Sequence, residues 1–336
     1  MQTRAAQLKA PWQVRLETVD LPEMPSPGWA RIRVTACGIC GSDLNAAASN
    51  ETYQPIGHEI AGVIEQINPQ GPTKLEAGQS VVLESSSFCG RCDLCRDGRV
   101  DLCNKAPGFW GKPAMGFADF MDAPLDCIVP YAGLEPEVAC LAEPVGVAID
   151  MVKTANIQLA QRVCLIGPGP IGLAAGALAL RSGASELAVL GRPRSRARLD
   201  VARKIGAEVI ASDQPLEQMT DLQGRFDHVL LTAPTELIRP GLELLAYGGI
   251  LTYIGFGRNG SEITFDADRF HMRKWQLRAS FASPAVYFPA ALSMLYSQAV
   301  PGRDLVSHVL GLDEIDQALQ LHRERKGDVV KIVVKP

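Results

Sequence analysis

The chain has 336 residues and a formal net charge of −4, with 47% hydrophobic and 21% charged residues. That length exceeds one ordinary core and predicts two domains, and the composition is that of a globular chain. The weakly acidic balance gives no reason to expect nucleic acid or an anionic membrane as partner. Residues 1–20 intersperse charged and apolar residues without the basic-then-apolar pattern of a secretory signal. The nine cysteines are therefore expected in a reducing, cytoplasmic compartment. Cys37, Cys127, Cys140 and Cys164 have apolar neighbours and read as small core residues.

In chain order, Ala30-Arg31-Ile32-Arg33-Val34 alternates apolar and polar residues and predicts a strand. It leads into Cys40-Gly41-Ser42-Asp43, and the run Pro55-Ile56-Gly57-His58-Glu59 follows. A thiol, an imidazole and a carboxylate are three zinc donors, and a catalytic zinc keeps a fourth position open. The third donor is Glu59 or the later Glu143, which precedes Pro144. Between them lie Cys89, Cys92, Cys95 and Cys103, spaced C-x2-C-x2-C-x7-C among charged residues with little apolar surface. Four sulfurs so close together predict one tetrahedral zinc. Their closed shell leaves no position for substrate, so this zinc is expected to hold structure.

Residues 1 to about 142 read as strand-rich. From about 150 to 278, strands and helices alternate: strands at 163–166, 187–190, 209–211, 226–231 and 250–254, helical spacing at 195–205 and a helix around 237–246. That rhythm predicts a parallel doubly wound sheet. Gly167-Pro168-Gly169-Pro170-Ile171-Gly172 is a G-x-G-x-x-G turn between a strand and an alanine-rich helix, the context that lets a dinucleotide pyrophosphate sit at the helix N-terminus. The run 163–180 is uncharged, but its glycines and prolines argue against a membrane span. The run 329–334 predicts a last strand.

Taken with Gly116-Phe117-Ala118-Asp119-Phe120, these pieces resemble, in order and spacing, the medium-chain zinc-dependent alcohol dehydrogenases, nearest the sorbitol and threonine dehydrogenase branch. The resemblance covers essentially the whole chain. It implies an α/β protein in which residues 1–149 and 279–336 form a GroES-like, β-rich catalytic domain with a structural zinc lobe at 85–105. A Rossmann-type domain at 150–278 is inserted, and the chemistry is expected in the cleft between domains. The implied reaction is hydride transfer between a small secondary alcohol or polyol, or the ketone, and a nicotinamide. It implies a catalytic zinc on Cys40, His58 and Glu59 or Glu143, Ser42 as proton relay and Asp43 orienting His58. Asn45 stands where relatives often carry a relay histidine. Phe109, Trp110 and Phe281 are candidate pocket walls. The branch also implies a homo-oligomer, a tetramer or a dimer, with residues 251–254 and their neighbours as a sheet edge open to a second copy. On the same scaffold, an NADPH-dependent imine or double-bond reductase is the alternative, and a non-catalytic nucleotide- and zinc-binding protein a remote one.

NAD-binding folds of this kind place an acidic residue at the end of the second strand to hold the ribose hydroxyls. Here that strand ends in Gly191, followed by Arg192, Arg194, Arg196 and Arg198. Guanidinium groups pair with a phosphate, so NADP(H) is expected over NAD(H), with Arg192 and Arg196 reading the 2′-phosphate.

Overall fold

The structure, a computed structural model, describes residues 1–257, 262–324 and 327–336. The chain forms two compact units, one of Met1–Gly146, Ala282–Gln298 and Gly302–Pro336, the other of Val147–Phe281 and Ala299–Pro301.

The first unit is built on a seven-stranded sheet in which Val306–Gly311, Lys331–Lys335, Trp29–Gly38, Glu59–Asn68, Ser80–Leu83 and Ile128–Pro130 are successive neighbours, while Phe120–Pro124 also pairs with Trp29–Gly38. The pairing of Val306–Gly311 with Lys331–Lys335 is parallel, and the remaining pairings are antiparallel. Ile32, Ile60, Phe109, Phe117 and Met121 lie in its core. The alternation expected along Trp29–Gly38 breaks at Arg31, which is buried with its neighbours. Its guanidinium grips Asp122 at 2.9 and 3.1 Å and donates to the Pro22 carbonyl at 2.7 Å, which satisfies a charge that could not otherwise be buried.

The register of this sheet assembles three distant segments. Gly38 lies opposite Glu59 and Val333 opposite Gly38, and the Ile39 amide donates to the Ile332 carbonyl at 2.9 Å. The chain's last strand therefore runs beside the entrance to Cys40, one strand away from the strand that begins with Glu59.

The second unit holds six parallel strands in the order Glu208–Ala211, Glu186–Gly191, Arg162–Ile166, Phe226–Leu231, Leu245–Tyr253 and Gln276–Ala279. The direction of winding reverses between Arg162–Ile166 and Phe226–Leu231, where such sheets receive ligands at the carboxyl ends of the strands. The helix expected around 237–246 is shorter: a 3-10 turn at Thr235–Leu237 and a helix at Ile238–Leu242. Leu244 and Leu245 join the core and draw the chain into the next strand early. Residues 251–253 are not an edge. They pair on one side with Val229, Leu230 and Leu231 and on the other with Gln276–Ala279, which is the outer strand there. The uncharged run 163–180 divides between a strand and the helix Pro170–Arg181, and among the described residues no helix is long and apolar enough to cross a membrane.

Gly57, just before His58, has φ of +94°, and a Cβ there would come within 2.9 Å of Cys37 Sγ and of Phe117. Gly57→Ala is expected to combine about 1–2 kcal/mol of backbone strain with about 1–3 kcal/mol of overpacking. A clear drop in the thermal unfolding midpoint checks this; an unchanged midpoint refutes it.

Candidate active site and metal centres

Cys89, Cys92, Cys95 and Cys103 converge, with their four sulfurs all within 4.8 Å of one another. Cys92 caps the one-turn helix Asp93–Arg96, Cys95 lies inside it, and Cys103 follows the turn Val100–Leu102. Cys89 Sγ lies 4.0 Å from Cys95 Sγ, and Cys92 Sγ 3.9 Å from Cys103 Sγ. Sulfurs at about 2.3 Å from one tetrahedral zinc would stand roughly 3.8 Å apart, whereas a disulfide needs about 2.05 Å. The donor set thus fits zinc and not a disulfide pair. Backbone N–H groups of Arg91 and Cys92 pull the Cys89 thiol down to about 6, which suits a thiolate ligand.

The second cluster joins Cys40, His58 and Glu59, whose donor atoms also lie within 4.8 Å of one another. Cys40 is the N-cap of helix Gly41–Ser49. Its own N–H donates to Asp43 Oδ2 at 2.8 Å. Asp43 Oδ1 stands 3.9 Å from His58 Nδ1, beyond hydrogen-bond length, so Asp43 braces the Cys40 turn more directly than it orients the imidazole. Ser42 is exposed in the first turn of that helix. Glu143, near the start of helix Ala142–Ala155, brings Oε1 to 3.9 Å from His58 Nε2 with its side chain 13% exposed.

Charge and burial oppose each other here. Burial disfavours a protonated His58, yet Cys40, then Glu143 and Asp43, raise its pKa well above the ordinary value. Burial, reinforced by Glu59 and Asp43 against His58 and Lys331, pushes the Glu143 carboxyl up to about 7. One soft sulfur, one imidazole and carboxylate oxygens are zinc donors, so the residues fit a cation at this place.

Lys331 is the participant that sequence reading missed. Its ammonium donates to Glu59 Oε1 at 2.6 Å, to Glu59 Oε2 at 2.7 Å and to the Ile39 carbonyl at 2.9 Å. The available signal was a lysine inside the apolar run 329–334, since a buried lysine requires a carboxylate partner. Of the three candidate pocket walls, Phe109 is fully buried core. Trp110 is 56% exposed, with its ring centroid 5.5 Å from that of His58. Phe281 is 70% exposed and belongs to the second unit.

In the second unit the glycine turn follows strand Arg162–Ile166. Gly167 has φ of +100°, and a Cβ on Gly172 would meet the Gly167 carbonyl at 2.4 Å. Thr232 Oγ1, just past the end of Phe226–Leu231, donates to that same carbonyl at 2.5 Å. Gly169 is different, since a Cβ there would meet nothing within 4 Å. That open cradle lies at the N-cap of helix Pro170–Arg181, with Pro170 and Ile171 opening the helix and no acidic residue in its first turn. The residues fit a dinucleotide pyrophosphate. Gly191 ends Glu186–Gly191, and a Cβ on it would meet Pro168 at 2.8 Å and Leu199 at 2.7 Å. Arg192 and Arg196 are exposed just beyond, Arg196 opening the helix Arg196–Lys204.

Comparison with known proteins agrees with this geometry. The alcohol dehydrogenase GroES-like domain family matches residues 26–133, and the zinc-binding dehydrogenase family matches residues 170–297. D-xylulose reductase A of Aspergillus niger is 28% identical over 334 residues, covering 94% of this chain and 92% of that protein. Sorbitol dehydrogenase of Halalkalibacterium halodurans is 26% identical over 334 residues, covering 94% of each. The solved alcohol dehydrogenase of Thermus sp. ATN1 superposes with a TM-score of 0.85 at 26% identity, covering 99% of each chain. With a GroES-like domain, a Rossmann-like parallel sheet and these full-length relatives, the chain belongs to the medium-chain zinc-dependent alcohol dehydrogenase family, in its sorbitol dehydrogenase-like branch, and is an enzyme of the alcohol dehydrogenase kind.

Proposed function

We propose that the protein oxidises a small secondary alcohol or polyol, or reduces the corresponding ketone, with NADP(H) as cofactor and two zinc ions per chain. In this reading the first unit is the catalytic domain, the second binds the dinucleotide, and the chain assembles as a homo-oligomer, a tetramer before a dimer. The observation that carries the reading is the convergence of Cys40, His58 and Glu59 donor atoms within 4.8 Å in a pocket beside Glu143. The names of the relatives, a xylulose reductase and a sorbitol dehydrogenase, favour a polyol or ketose over a simple alcohol.

Cys40, His58 and a carboxylate would hold the catalytic zinc, which when bound would supply Lewis-acid polarisation of the substrate oxygen, and a bound nicotinamide would supply the hydride chemistry. Asp43 fixes the turn that aims Cys40. Ser42, exposed in that turn, passes the hydroxyl proton toward solvent. Asn45, exposed on the next turn of the same helix, can hydrogen-bond but cannot titrate, so water completes the relay. The exposed ring of Trp110 offers an apolar face to the substrate carbon chain. Cys89, Cys92, Cys95 and Cys103 hold the structural zinc.

Gly191 reads differently once its surroundings are known. Pro168 and Leu199 leave no room for a side chain, so preference for the 2′-phosphate rests on the arginines. Arg192→Ala is expected to weaken NADPH by roughly tenfold to hundredfold, the about 1.5–3 kcal/mol of a charged hydrogen bond, and to leave NADH nearly unchanged. Steady-state kinetics with both cofactors checks it, and an unaltered protein that already prefers NADH overturns the NADP assignment. Gly169→Ala should leave the melting temperature in place while weakening both cofactors, because its Cβ enters open space.

Metal analysis of active protein is expected to give two zinc ions per chain, and a mild chelator should remove the open-site ion first, together with activity. One zinc or none in fully active protein refutes the reading. NADPH oxidation measured across ketoses, aldehydes and imines decides the substrate class, and turnover of imines alone would replace the alcohol reading.

A further inference from the structure

The strand Ser80–Leu83 leads straight toward the four-cysteine lobe, and the residue at the join is Glu84. Glu84 is 5% exposed, and among the described residues no ion pair reaches it. Its situation is unlike that of Asp122 and Glu59 in the same sheet, which are answered by Arg31 and Lys331.

The surroundings of Glu84 are polar but carry no cation. Its N–H donates to the Cys127 carbonyl at 2.8 Å, and the Ser87 N–H donates to the Pro107 carbonyl at 2.8 Å. Ser85, Ser86 and Ser87 are buried with it. Residues 107–110 and 282–285, which bond to Ser86 and Ser87, are uncharged. The turn Leu125–Cys127 brings Asp126 and Cys127, and burial, then Glu84, pushes the Cys127 thiol up to about 12. In the strand Glu59–Asn68, Ile60 lies opposite Leu83, while Glu59, one residue along, gives both oxygens to Lys331.

A carboxylate taken out of water without a cation is costly to keep ionised. Burial, against the Ser87 hydroxyl, pushes the Glu84 carboxyl up to about 7. We propose that Glu84 is a proton-dependent latch on the four-cysteine lobe: protonated, it stays buried and keeps the base of the lobe on Cys127 and Pro107; ionised, it draws residues 84–87 toward water and loosens the lobe. An opened lobe returns Glu84 to water and to the ordinary carboxylate range. The opened form then binds fewer protons, so opening is favoured as pH rises from that range through about 7 and levels off above it.

Arg91, Arg96 and Arg99 are exposed in the lobe, so cleavage there by trypsin reports its opening. The full chain is used as purified, beside Glu84→Gln, which keeps the shape of the protonated acid and cannot ionise. Cysteine titration and the pH dependence of trypsin are common to both and cancel in the ratio of their cleavage rates. From about pH 6 to about pH 8 the parent-to-variant ratio in the lobe should rise by about tenfold. Cleavage outside the lobe should show no such rise, which gives an internal reference in the parent even if Glu84→Gln fails to fold. Ser87→Ala removes the hydroxyl that favours the ionised form, and the rise should continue to higher pH.

A ratio that stays flat overturns the inference. So does an equal rise at sites outside the lobe, which would mean loss of the whole fold and not release of the lobe. A Ser87→Ala profile that matches the parent, or levels off at lower pH, overturns it as well.

Discussion

The first unit is governed by an excess of buried negative charge. Cys40, Asp43, Glu59 and Glu143 gather around His58 in a region where Asp43, His58 and Glu59 are buried. Unpaired ions are too costly to bury, so the fold must bring cations there. Lys331 is one, and it comes from the far end of the chain, 292 residues beyond the Ile39 carbonyl it also binds. That need gives a physical reason for the chain to return to its first sheet: without Lys331–Lys335 beside Trp29–Gly38, Glu59 would be a buried carboxylate without its partner, a loss of about 3–5 kcal/mol. The His58 pKa is raised by Cys40, Glu143 and Asp43 against burial, and that of Glu143 chiefly by burial.

The glycines separate what the fold requires from what a ligand requires. Gly57, Gly172 and Gly191 are each confined by protein atoms closer than a Cβ tolerates, so packing alone explains them. Gly169 is not, because a Cβ there would meet nothing within 4 Å, and it lies at the N-cap of helix Pro170–Arg181. Gly191 shows the converse. From sequence, its lack of a carboxylate reads as a choice between cofactors. The contact with Pro168 shows that the glycine turn itself, by folding back on the end of the second strand, excludes a side chain there.

What the sequence made legible was local. The spacing of Cys89, Cys92, Cys95 and Cys103, the glycine turn with its flanking strand and helix, and the strand–helix alternation of the second unit are each specified within a few tens of residues. The features that escaped depend on tertiary pairing. Arg31 looked like an outward residue of an alternating strand and is buried because Asp122 lies across the sheet. Residues 251–253 looked like an edge because nothing local shows that Gln276–Ala279 pairs beside them. Adjacent Phe109 and Trp110 looked equivalent, but the first is core and the second stands exposed by His58. Lys331 was hidden in the same way, read as one polar residue in a strand when its meaning lay with Glu59.

The two clusters of candidate metal ligands differ in how the chain brings them together. In the four-cysteine lobe the ligands are near neighbours in sequence, Cys89 and Cys103 being 14 positions apart, and backbone N–H groups of Cys89 and Cys92 are aimed at Cys103 and Cys89 sulfurs. The four sulfurs are brought together by local folding. At Cys40 and His58 the ligands come from separate strands and helices. Glu59 is held close to them by the register of Trp29–Gly38 with Glu59–Asn68. The ammonium of Lys331, held on both Glu59 oxygens and the Ile39 carbonyl, is a fixed cation at that place.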